Sequence, residues 1–216
     1  MKRSNVLIKI LVAGVAVAAF GWLFMRSIQD ARSTPYDIDQ AHLRNWPLVI
    51  EAATEPADSV LALQAPPDLP NALFRQVFSR AMESLNRPLA AGIPLVLKRE
   101  FDGGFAGRVT LQQLLTAARA AGLDALTLTP RCLAYRRASA PGVTRQVFFV
   151  LFDAPAISQF RERIAMQDDG AASRAGFDPA SLSPVMLVAS SESTFSSWLP
   201  LRADPGTDCL APIATR

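Results

Sequence analysis

The sequence predicts an α+β protein in which a single N-terminal transmembrane helix precedes one exported domain, a mixed β-sheet of about five to six strands packed by three helices. Three observations predict it. The twenty residues from Val6 to Met25, VLIKILVAGVAVAAFGWLFM, are apolar except for Lys9. Beyond residue 58, short apolar runs fenced by prolines alternate with stretches of 3.6-residue period. One of those runs, VFFVLF, is apolar at every position, as a strand covered on both faces must be. The expected organisation is an anchor over residues 1–27, a juxtamembrane linker over 28–58 and the exported domain over 59–216.

At about 1.5 Å per residue the anchor gives roughly 30 Å of helix, the thickness of a bilayer's hydrocarbon. Lys9 reaches back to the headgroups along its apolar stem. Lys2, Arg3 and Lys9 make the N-terminal side the more positive, which places the N-terminus in the cytoplasm and the rest in the periplasm of a bacterial inner membrane. The small residues Ala16 to Ala19 imitate a signal-peptide cleavage site, but cutting there leaves the apolar end FGWLFM without a home.

Composition sharpens this. The chain of 216 residues carries a formal charge of +3 and has a pI near 9.2. Without Lys2, Arg3 and Lys9, the remaining 19 basic residues balance 19 acidic ones. The exported part is formally neutral, which argues against nucleic acid as a partner. Cys132 and Cys209 are expected to form a disulfide, because pairs of cysteines in oxidising compartments are usually bridged. A metal site is not expected, since the chain has one histidine, His42.

Residues 26–47 read as a tether, with Asp37 as the cap of a short helix and Trp46 at the headgroup level or the edge of the core. LVIEAA (48–53) and VLALQ (60–64) are candidate strands. In NALFRQVFSRAMESLNRP, Phe74, Phe78, Ala81 and Leu85 recur at helical spacing and are assigned to the core. IPLVLK (93–98) reads as a strand. Thr110 and Gln113 make a capping box for a helix that Gly122 ends. LDALTLT (123–129) alternates like a half-buried strand closed by Pro130. A hairpin follows, CLAYRR and RQVFFVLFD around a turn at residues 140–143. Ile157, Phe160 and Ile164 define a third helix, residues 168–184 an exposed loop, and VMLVA (185–189) a last strand.

No phosphate loop, dinucleotide fingerprint, calcium loop or nucleophile elbow is present, and no cofactor is expected. The candidate ligand loop is REFDGGFAGR, where Glu100, Asp102 and Arg108 border three glycines that permit close backbone approach. Arg131, Arg136, Arg137 and Arg145 surround the hairpin as candidate contacts for a partner or for lipid headgroups, or as a solvated edge that deters strand pairing. The expectation is a membrane-anchored, non-catalytic binding or scaffolding domain of a bacterial envelope assembly. The alternative is an anchored envelope hydrolase using Glu100 and Asp102, and Lys98 is the one exported lysine for a serine–lysine pair.

Overall fold

A computed structural model describes residues 14–15, 17–23, 34–50, 59–81, 83–88, 91–105, 107–140, 143–166, 177–192 and 202–216. The chain divides into two units, Met1–Thr34 and Pro35–Arg216. In the first, residues 14–15 and 17–23 are helical, and Val15, Val17, Phe20, Trp22 and Leu23 are exposed. Most of the predicted anchor from Val6 to Met25 lies outside the described residues. Among the described residues no helix is long and apolar enough to cross a membrane.

The second unit is α+β, with its described strands in three sheets where one mixed sheet was expected. Strands β1 (Tyr36–Ile38) and β9 (Ile213–Thr215) pair in parallel. Strands β2 (Leu48–Ile50), β3 (Ser59–Gln64) and β4 (Gly92–Leu97) form an antiparallel sheet. In the third sheet, antiparallel throughout, β7 (Val185–Ser190), β6 (Val143–Asp153), β5 (Thr129–Ala140) and β8 (Cys209–Ala211) lie in that order. The helix between β3 and β4 suggested a parallel crossover. Instead, Gly92 pairs with Gln64 and the Ala65 N–H donates to the Ala91 carbonyl, so the chain returns to the end of β3 that it left. The helix elaborates a hairpin connection.

That helix, α1 (Asp68–Ala81), turns Leu69, Leu73 and Val77 inward at i, i+4 and i+8, each at most 1% exposed. Burial of such side chains is worth about 1.5–3 kcal/mol apiece. The stripe assigned from the sequence is therefore displaced by one position: Phe74 is half-buried and Phe78 is 51% exposed, although Leu85 beyond the helix is buried. Helix α2 (Leu111–Ala120) has the predicted capping box, with Thr110 Oγ1 accepting from the Gln113 N–H and Gln113 Oε1 accepting from the Thr110 N–H. Helix α3 (Pro155–Met166) buries Ile157, Phe160 and Ile164 as expected.

Strand β6 lies between β5 and β7. Its alternation divides VFFVLF between two apolar clusters: Phe148, Val150 and Phe152 join the main core, and Val147, Phe149 and Leu151 join a second one with Leu97, Cys132 and Leu187. The hairpin is longer than expected and its connection shorter, because Ala140 pairs with Val143. Pro130 sits inside β5 at a register irregularity instead of ending a strand.

Residues 123–129 are not a strand up to β5. Gly122 adopts φ 70°, and a 3-10 turn, Leu123–Ala125, buries Leu123. The alternating residues then spend their backbone groups on the segment read as linker: the Leu128 N–H donates to the Leu43 carbonyl, and Thr127 bridges Arg44. Residues 35–50 accordingly belong to the folded unit, where Asp39, not Asp37, caps the 3-10 turn Gln40–Leu43. Trp46 is 1% exposed, edge-on to Phe152 at 5.7 Å, and its indole donates to the His42 carbonyl. Strand β2 ends at Ile50, and residues 51–58 lie outside the described set.

Candidate functional site

The candidate ligand loop is helical over most of its described length. Residues Lys98–Glu100 and Phe101–Phe105 form consecutive helical turns at the end of β4. Glu100 is turned inward and meets Arg161, which is 0% exposed. Arg161 Nη2 donates to Glu100 Oε1 at 2.7 Å, and Nη1 donates to Oε2 at 3.2 Å. Glu100 also accepts from the Leu97 N–H and the Ser181 hydroxyl, both at 2.9 Å. The guanidinium has further acceptors in the carbonyls of Leu95, Asp178 and Pro179, and Phe177 lies under it at 4.7 Å. Such saturation is what makes a buried charge tolerable. The network fastens α3 and residues 177–182, the latter read as part of an exposed loop, to the end of β4.

Asp102 faces the other way, half-exposed and paired with Lys98 at 3.1 Å. Arg108 donates to the Gly104 carbonyl, within its own turn. Glu100, Asp102 and Arg108 therefore do not converge on one cavity. Lys98 is likewise engaged by a carboxylate. Among the described residues no group of His, Cys, Asp or Glu is placed to hold a metal ion.

The four hairpin arginines are spread along it. Arg131 pairs with Asp153 across the strands at 3.2 Å, Arg145 pairs with Glu192 at 2.8 Å, and Arg137 is exposed beside Tyr135. Arg136 grips Asp208 through Nε and Nη2 at 3.2 and 2.5 Å and donates to the Arg202 carbonyl at 2.8 Å. That grip sets the short helix Pro205–Asp208 against β5, one residue before the disulfide between Cys132 and Cys209. The expected bridge is present, with Cα atoms 5.7 Å apart.

The open chemistry lies on the outer face of α1. Phe74 and Phe78 stack with ring centroids 5.7 Å apart and planes at 27°. Beside Phe74 is a depression of about 360 Å³ lined by Asp68, Asn71, Arg75 and Arg87. Arg87 arrives from the segment after the helix and donates to Asn71 Oδ1. The same two residues border a second depression of about 150 Å³, walled by Pro67, Pro70, Pro88 and Ala91. No protein-family model, curated protein or solved structure matches this chain. The helical spacing of Phe74 and Phe78 assigns Phe78 to the core, which hides it and its neighbours Arg75 and Arg87 as functional candidates in the sequence. The competing periodicity of Leu69, Leu73 and Val77 was the signal that turns it outward.

Proposed function

We propose that this chain is a single-pass protein of the bacterial inner membrane, with a cytoplasmic N-terminus and a non-catalytic periplasmic domain that binds or scaffolds partners in an envelope assembly. The observation that carries the reading is Phe78, 51% exposed and stacked on the half-buried Phe74, with Arg75 and Arg87 lining the depression beside Phe74. An exposed aromatic pair on the face of a helix is a common mark of a protein contact. The disulfide suits an oxidising compartment. The apolar side chains exposed along residues 15–23 suit a lipid surrounding.

Two measurements test it. A phosphatase active only outside the cytosol, fused after Arg216, is expected to be active in cells; activity of a cytosolic reporter alone at that position overturns the location. The full chain, extracted with its membrane into nanodiscs, is expected to bring envelope proteins with it in fixed ratio. Repeated isolation of the chain by itself overturns the scaffold.

A further inference from the structure

We infer that the outer face of α1 receives an extended segment of a partner protein whose facing side, read at every second residue, presents a carboxylate between two aromatic or branched apolar side chains. The inference rests on the binding-module reading and specifies the partner's chemistry.

The surface has an apolar, cationic, apolar order. Phe74 and Phe78 form one apolar platform, held rigid by their i, i+4 placement on the helix and by stacking. The proline-walled depression is the second apolar element. Arg87 stands between them as a wall of both depressions, and Arg75 lines the first. Among the described residues, the hydrogen bond of the Arg87 side chain is to Asn71 Oδ1, one acceptor for a group with five N–H donors. A guanidinium so placed matches a carboxylate, which accepts two parallel bonds. In an extended segment, side chains on one face repeat every second residue at about 6.5–7 Å. A segment with apolar side chains at its first and fifth positions and a carboxylate at its third lays one apolar group on the Phe74–Phe78 platform, the other in the proline-walled depression, and the carboxylate on Arg87.

Two other occupants fit less well. A phosphate or lipid headgroup would engage the arginines and leave Phe78 bare. A single-stranded nucleic acid could stack on the two rings, but its continuous row of phosphates calls for an extended basic surface and the exported part has no excess of positive charge.

The test uses the full chain in nanodiscs of zwitterionic lipid and four fluorescent probes: a short serine-spaced peptide with phenylalanine, aspartate and phenylalanine at every second position, the same peptide with lysine for aspartate, the same with serine for both phenylalanines, and a single-stranded oligonucleotide. The aspartate–phenylalanine peptide is expected to bind about tenfold or more tightly than each of the others. Phe78→Ser and Arg75→Gln, both at exposed positions, are expected to weaken it by a similar factor, with the melting temperature unchanged in Arg75→Gln and lowered by only a few degrees in Phe78→Ser. Arg87→Lys, which keeps charge and removes the bidentate fork, is expected to weaken it less than Arg87→Ala. Equal binding of the lysine peptide, tighter binding of the oligonucleotide, or indifference to these substitutions overturns the inference. If envelope partners still accompany Phe78→Ser and Arg87→Ala in wild-type ratio, the inference falls while the wider reading stands. If no partner accompanies the wild-type chain, the wider reading falls as well.

Discussion

Glu100 and Arg161 meet in the interior, with Nη2 2.7 Å from Oε1 and their side chains 6% and 0% exposed. Each is the other's only ionic partner among the described residues, so removing one strands a charge away from water. Arg161→Met and Glu100→Leu are each expected to cost about 3–5 kcal/mol, and the double variant less than the sum. Asp102→Ala, which breaks a half-exposed pair, is expected to stay within about 1 kcal/mol. Denaturant midpoints of the four variants check this, and a single-variant loss at Glu100 as small as that at Asp102 contradicts the buried clasp.

The bridge between Cys132 and Cys209 closes a loop with a sequence separation of 77. Chain-entropy arguments give about 4–5 kcal/mol for a loop of that length. Protein isolated without reductant is expected to show no free thiol after denaturation, and to unfold at lower denaturant once reduced. Two titratable thiols in freshly isolated protein would refute the oxidised state.

Leu73 and Phe78 test which way α1 faces. Leu73→Ala empties a position with 0% exposure and is expected to cost about 2–5 kcal/mol. Phe78→Ser removes a ring 51% exposed together with its stack on Phe74 and is expected to cost about 1 kcal/mol. Thermal melts of both variants decide it, and the reverse order would restore the aromatic stripe to the core.

Tyr36 supplies a pH dependence. Burial lifts its phenol above the ordinary 10.0, and the Arg80 guanidinium, 4.0 Å from the ring, opposes this more weakly. Between pH 10.0 and the raised folded value, the native state keeps a proton that the unfolded chain releases. The stabilisation is thus complete below pH 10.0 and disappears as the pH climbs through the folded value. Tyr36→Phe is expected to flatten this alkaline decline, as followed by unfolding across pH. Tyrosinate absorbance of the native wild-type chain should lag behind that of the denatured chain.

What the sequence made legible follows from which signals were local. The capping box of Thr110 and Gln113, the doubly apolar β6 and the inward face of α3 each depend on neighbours a few residues apart, and each is found in place. The disulfide was legible from compartment and count. Residues 123–129 misled because alternation specifies two faces but not the partner: their bonds go to Leu43 and Arg44, about 85 positions away. Glu100 beside glycines looked available until Arg161, in a different helix, was placed against it, and no periodicity carries that information. On α1 two stripes of similar apolar character competed, and the flanking Arg75 and Arg80 did not separate them; packing against the sheet chose the aliphatic one.

The parallel pairing of β1 with β9, in which Tyr36 lies opposite Ile213 and Ile38 opposite Thr215, has a mechanical consequence. A pull toward residue 34 draws β1 along its axis one way, and a load at Arg216 draws β9 the other way. The interstrand bonds then share the strain in shear and must fail together, where an antiparallel pair held by these same handles would unzip one bond at a time. A domain loaded through these two ends has its handles joined in the arrangement that resists tearing best.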